Sequence, residues 1–201
     1  MPDIEAYVEA LAHRVVGQRL LGIRLASPFL LRTVDPPLAA AAGGRVEGVQ
    51  RLGKRVVLEV AGGRAQARKA APLFLVIHLM VAGRLHWKKA GSSVPRGSGM
   101  AAFDFATGTL LLTEAGTKRR ASLHLVRGRE ALAALDPGGI DLFTSDPALF
   151  GSALQAKNHT LKRALTDPSV VSGIGERLFR RDPSQSAGVS LQADPGAGSG
   201  G

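Results

Sequence analysis

The sequence predicts an α+β protein: an N-terminal helix, a long succession of short strands closing as a sandwich or barrel, and a helical segment after them. Three observations carry this. Apolar residues repeat at helical spacing near the start. Between about Leu20 and Val126 the pattern shifts to short apolar runs punctuated by Gly and Pro, the mark of an all-β unit. After Asp136-Pro137-Gly138-Gly139 helical spacing returns.

In residues 4–16, Ile4, Tyr7, Val8, Leu11 and Val15 share one helical face, and Gly17 supplies the stop. Pro2 suits a first turn and Asp3 complements the helix dipole there. Strands are expected at Leu20–Leu25, Arg45–Arg51, Arg55–Val60, Leu73–Leu79, Arg84–Trp87, Ala101–Phe105, Thr109–Thr113 and Ser122–Val126. Ala106-Thr107-Gly108 reads as a hairpin turn, and Gly62–Ala71 as a basic, flexible loop. Helices are expected at Pro147–Ala156 and Asn158–Leu165, the second ended by Thr166-Asp167-Pro168. A short turn over Pro168–Ser172 then leads to Gly173-Ile174-Gly175. From Asp182 onward Ser, Gly, Ala, Pro and Gln leave little to bury, so 182–201 is expected to be disordered.

Composition narrows the function. The 201 residues suit one large or two small domains, and 45% hydrophobic content allows a real core. No cysteine is present, which excludes disulfides, a Cys-ligated zinc site and a thiol nucleophile. The five histidines, at 13, 78, 86, 124 and 159, are too scattered for a local ligand motif. No apolar run reaches the ~20 residues of a membrane helix, and no signal peptide opens the chain, so a cytoplasmic protein without membrane contact is expected. The formal charge of +10 favours a polyanion. With only 4% aromatics a stacking platform for single strands is disfavoured, and duplex DNA gripped through its phosphates fits better.

Five segments, in order, carry a family likeness: PDIEAYVEAL at 2–11, LGKRVVLEV at 52–60, LFLVIHLMVAGRL at 73–85, TKRRASLHL at 117–125 and LKRALTDPSVVSGIG at 161–175. Each alone is weak; together, over residues 2–175, the chain resembles the formamidopyrimidine-DNA glycosylase / endonuclease VIII family of base-excision repair enzymes. The resemblance implies an N-terminal helix on an antiparallel β-sandwich (1–130), then an incomplete helical, helix–two-turns–helix DNA-binding domain (131–175). A tail follows at 176–201. No zinc finger, no metal and no other cofactor is expected. It further implies a monomer, nucleoid-associated in a bacterial cytoplasm, that excises oxidised bases from double-stranded DNA and cleaves abasic sites by β-elimination.

Such chemistry must flip a base out of the duplex and fill the gap, then attack the sugar with an amine that forms a Schiff base. The family uses an N-terminal proline exposed by loss of Met, a neighbouring carboxylate, and a lysine in a β-turn that moves protons and grips a phosphate. By resemblance these are Pro2, Asp3 and Lys54, although Lys54 is otherwise an ordinary exposed lysine. In His78–Leu85, Met80 falls on the family's glycine and Val81 on its intercalating methionine; either side chain can serve as wedge, the alternative being a buried apolar loop. Arg119 and Arg120 resemble the pair that contacts the strand opposite the lesion, with Ala121 where the family has a phenylalanine; the alternative is a solvated charged turn. Asn158, Lys162, Gly173 and Gly175 resemble the phosphate-binding part of the helical domain.

Two departures are expected to matter. PDIE fits best on the second proline of the family's MPELPDIE-type opening, so the family's own proline and glutamate are expected to be absent, and the Pro2 nitrogen to sit about one helical turn out of place; an upstream start codon explains this equally well. After Gly175 the family continues NAYSDEIL, whereas Glu176–Pro183 reads ERLFRRDP. Sliding the reading frame back one nucleotide converts the first string into the second. A frameshifted tail over 176–201 is therefore expected, and resequencing the locus checks it. The length and the missing cysteines are expected to reflect the same incomplete end.

Overall fold

Apolar runs too short for helices need partners on both sides, and the chain supplies them by stacking two sheets. In the computed structural model, residues 4–62, 71–136, 138–141, 151, 160, 165, 167 and 170–172 are described. The chain begins with α1 (Ile4–Val15) and continues through β1 (Gly22–Leu25), β2 (Arg45–Leu52), β3 (Arg55–Ala61), β4 (Leu73–His78), β5 (Gly83–Lys88), β6 (Gly99–Asp104), β7 (Thr109–Glu114) and β8 (Ser122–Arg127). After them come α2 (Gly128–Ala133) and the short parallel pair β9 (Ile140–Asp141) and β10 (Val171–Ser172). One-turn 3-10 helices stand at Pro28–Leu30 and Leu38–Ala41.

One antiparallel sheet has the order β2-β3-β4-β8 and the other β1-β6-β7-β5. A two-sheet sandwich is thus what the strand pattern becomes. Between the sheets lie Val56, Leu58, Val60, Leu75, Ile77 and Leu123 from the first and Met100, Phe103, Leu110 and Leu112 from the second. Alternate residues of the first sheet point the other way, and Val57, Phe74, Val76 and Val126 form a second cluster with Leu132 of α2. That explains LFLVIH, apolar almost throughout: β4 is covered on both faces, which erases the period-2 alternation. Burying Leu132 contributes about 1.5–3 kcal/mol towards holding α2 on that face.

Helix α1 buries Ile4, Leu11 and Val15. It stops at Gly17, whose φ of +81° suits the left-handed residue after a helix and whose N–H donates to Val46 O at 2.8 Å. The expected helices at 147–156 and 158–165 lie outside the described residues, except that Gly151 and Leu165 are helical. Most of the basic loop and the tail also lie outside them. Among the described residues no helix is long and apolar enough to cross a membrane.

The connections decide what this scaffold presents. Arg55 pairs with His78 and His78 with Ser122, so the β2–β3 turn, the end of β4 and the start of β8 share one edge of the first sheet. In the second sheet Gly83 pairs with Glu114 and Gly99 with Thr113 at the corresponding edge. Because β4 leads to β5 and β7 leads to β8, both crossovers between sheets, 79–82 and 115–121, leave from that same end of the sandwich.

Candidate nucleic-acid interface at one end of the sandwich

The tightest of these connections is Gly53-Lys54. Leu52 pairs directly with Arg55, leaving two residues for the turn, and Gly53 has a φ of +58°, as the first central residue of a II′ hairpin requires. This projects Lys54 from a rigid ladder. Burial pushes the Lys54 ammonium below the ordinary lysine range, while the Asp167 carboxylate pulls it back up. The start of α1 is tied to the same corner by an ion pair of 2.5 Å between Glu5 and Arg51, three positions before Lys54. At its next turn the helix meets β5, where the Tyr7 hydroxyl accepts the Leu85 N–H at 3.4 Å. Pro2 and Asp3, immediately before the helix, lie outside the described residues.

Behind Lys54 the outer face of the first sheet carries Arg55, His78 and His124. The Arg55 guanidinium donates to Leu135 O, just past α2, and burial lowers its pKa against the opposing pull of Asp136. His78 is pushed down to about 4, first by burial and then by Arg55, Lys54 and His124 around it. His124 shifts the same way, by burial and then by Arg55 and Arg32. Both imidazoles are therefore neutral at physiological pH. An unfolded His78 takes up its proton near 6.5 whereas the folded one resists until about 4, so unfolded chain gains protons first as the pH falls through that window. Stability is expected to decline from pH 6.5 to 4 and this contribution to level off below 4; urea titrations of wild type and His78→Gln should differ in slope across that interval.

The second connection, Leu79–Ala82, folds into a single turn closed by Gly83 N–H donating to Leu79 O at 2.9 Å. Arg84 braces it from outside, donating to Val81 O at 3.0 Å and Gly83 O at 2.7 Å. Leu79 is buried and Met80 half-buried, but Val81 stands 60% exposed at the tip. Met80 has a φ of +54°, in the left-handed region that disfavours any residue with a Cβ, and this is the position where the family pattern has glycine. Met80→Gly is expected to be neutral or to stabilise by up to ~1 kcal/mol in chemical denaturation, since relief of strain outweighs modest loss of packing.

The third connection, Ala115–Ala121, carries Lys118, Arg119 and Arg120 exposed to solvent. It is held from below by Glu114, only 2% exposed, whose carboxylate accepts the Arg120 N–H at 2.9 and 3.0 Å and the Ala121 N–H at 3.0 Å. Arg119 reaches across and donates to Gly97 O. Beside it opens a cleft of about 630 Å³, with Phe29, Met100, Thr117 and Ala121 among its walls.

Lys54, Met80, Val81, Arg119 and Arg120 thus gather at one end of the sandwich, while Asn158, Lys162, Gly173 and Gly175 lie outside the described residues. The arrangement suits a polyanionic rod: fixed cations on short rigid loops, one apolar tip, and no exposed carboxylate on any of the three loops. Sequence reasoning missed Glu114, Arg55 and His124. Each ends or interrupts an apolar strand, but only the burial of its surroundings reveals its partners. Among the described residues no three His, Cys, Asp or Glu side chains converge as metal ligands would.

Comparison with known proteins bears on the family and the fold. Residues 1–130 match the model of the formamidopyrimidine-DNA glycosylase N-terminal domain. A formamidopyrimidine-DNA glycosylase of Acidiphilium cryptum is 30% identical over 191 residues, covering 90% of this chain and 64% of its own length. One from Nocardia farcinica is 29% identical over 189 residues, covering 87% and 63%. This chain therefore spans just under two thirds of those relatives. The fold is also similar to that of the Lactococcus lactis formamidopyrimidine-DNA glycosylase bound to DNA containing an abasic site, with a TM-score of 0.70, 21% identity, and 87% and 65% of the two chains covered. A MutM structure in complex with DNA containing carbocyclic 8-oxo-G gives a TM-score of 0.72 at 19% identity, over 87% and 63%.

Proposed function

Because the chain belongs to the formamidopyrimidine-DNA glycosylase family, we propose that it binds duplex DNA at damaged or abasic sites and excises oxidised bases in base-excision repair. Its place of action on this reading is the chromosome in the cytoplasm. The observation that carries the proposal is the convergence of the Lys54 turn, the Val81 tip and the Arg119–Arg120 loop at one end of a rigid sandwich, with the start of α1 pinned beside Lys54.

Each part has a physical task. Arg119 and Arg120 hold the strand opposite the lesion, their exposed guanidiniums meeting its phosphates. Val81, already exposed, enters the gap left by the flipped nucleotide, so the water it sheds offsets part of the few kcal/mol that unstacking costs. Pro2, the terminal residue once Met1 is removed, offers on this reading a secondary amine whose lone pair attacks C1′ of the sugar as the base departs with its bonding electrons. The amine then loses its proton, and its lone pair expels O4′, which takes up a proton as the sugar ring opens; the resulting iminium acidifies the C2′ proton, and loss of that proton expels the 3′ phosphate. On this reading Asp3 and Lys54 move these protons. Desolvation of Lys54 favours its neutral form, which suits proton transfer, and as a cation it grips a phosphate. Asn158, Lys162, Gly173 and Gly175 complete the phosphate grip from the second domain.

Borohydride trapping on duplex DNA with an abasic site tests the chemistry. The expected result is a covalent adduct that disappears in Pro2→Gly. Binding of abasic duplex without any adduct would mean instead a non-catalytic, damage-binding protein.

A further inference from the structure

We propose that the cleft beside Arg119 is a nucleobase site in which Phe29 stacks on the base opposite the lesion. The inference rests on the reading of this end of the sandwich as a damaged-duplex interface.

Phe29 is 80% exposed, although its neighbour Leu30 is fully buried and anchors the same one-turn helix in the core. The ring therefore stands on a fixed base. Its backbone is placed by the sheets on either side: Ala26 and Ser27 donate to Met100 O at 2.9 and 3.2 Å, and Arg32 donates to Leu123 O at 2.9 Å. The segment 26–32 consequently crosses from the β1 edge of one sheet to the β8 edge of the other, over the same end that carries Lys54, Val81 and Arg119.

An exposed aromatic ring on a rigid support, facing an arginine across a cleft, is the pairing that holds a planar, electron-rich ring. Arg119, Thr117 and Gly97 supply the polar wall, while Met100 and Ala121 supply apolar ones. The volume, about 630 Å³, falls in the range of small-molecule sites and leaves room for a base to swing in. Ala121 is 2% exposed and contributes only a methyl group, so no ring from that position enters the space. A base that has lost its partner needs a face to stack on, and the basic loop brings the backbone carrying that base to the cleft mouth. Val81 stands on the crossover from β4 to β5, whereas Phe29 lies on the segment that runs from the β1 edge to the β8 edge. On this reading the valine addresses the nucleotide at the lesion and the phenylalanine the base across from it.

The test uses the full chain and three duplexes: intact, with one tetrahydrofuran abasic-site analogue opposite a normal base, and with analogues facing each other so that no orphan base exists. Phe29→Ala should weaken binding of the second about 5- to 150-fold, the range for removing one stacking partner. It should change the other two less than about twofold. Phe29→Trp should retain wild-type affinity for all three. Equal losses on the second and third duplexes, or no loss at all, overturn the proposal while leaving the interface reading intact; no loss would fit instead a ring that serves a protein partner. A wild type that does not prefer the second duplex over the intact one overturns both.

Discussion

Glu114→Ala is expected to unfold the chain at lower denaturant, costing about 2–4 kcal/mol, because it strips a buried carboxylate from the backbone N–H groups of Arg120 and Ala121. Each charge-assisted bond is worth roughly 1.5–3 kcal/mol, and an abandoned buried donor carries its own desolvation penalty. The effect has a local component too. With the carboxylate gone, the Arg120–Ala121 backbone just before β8 loses its anchor, so the loop should lose its set conformation. Urea titration checks the first outcome. Hydrogen exchange at Arg120 and Ala121, accelerated more than at Leu123 or Leu125, checks the second. Glu114→Gln should recover only part of the loss, because an amide offers one acceptor oxygen where the carboxylate uses two.

The second large effect is expected at the turn lysine. Lys54→Gln keeps a polar side chain on the same II′ hairpin, so folding should change by less than ~0.5 kcal/mol. Trapping on abasic DNA should nevertheless slow ~100-fold or more, the usual consequence of deleting a proton-transfer group. Affinity for intact duplex should fall only modestly. Comparable losses in binding and in trapping would mean that Lys54 is a phosphate contact alone. Lys54→Arg separates the roles further: it keeps the charge but holds its proton, so it should preserve binding without restoring the trapping rate.

Much of the scaffold could be read from residues alone, and the exceptions have physical causes. The strands emerged within a residue or two because Gly and Pro punctuate them and because each is centred on a short apolar run. Helix α2 escaped because only Leu132 of its six residues is buried, leaving no period to detect. The apolar runs of β3 and β4 signalled burial on both faces but not what covers the outer one. At the interface the sequence left Met80 and Val81 as equal candidates for the wedge. The backbone separates them: the left-handed φ at Met80 turns its side chain half inward and leaves Val81 at the tip. Glu114 gave no signal at all, since a glutamate closing a strand next to KRR reads as one more surface charge. Phe29 looked like an ordinary apolar residue, and only its exposure beside Arg119 gives it meaning.

The central claim is that one end of the sandwich, and not diffuse basicity, meets the duplex. Arg14, exposed near the end of α1 beside Gln18 and Thr107, marks the opposite end of the molecule. The most direct measurement is the salt dependence of duplex binding for wild type, Lys54→Ala, Arg119→Ala, Arg120→Ala and Arg14→Ala. Each variant at the interface should lower the slope of log K against log salt by about 0.9, the release of roughly one counterion per lost phosphate contact. Arg14→Ala should leave it unchanged. Equal slopes for all four variants, or a loss confined to Arg14→Ala, would contradict the account.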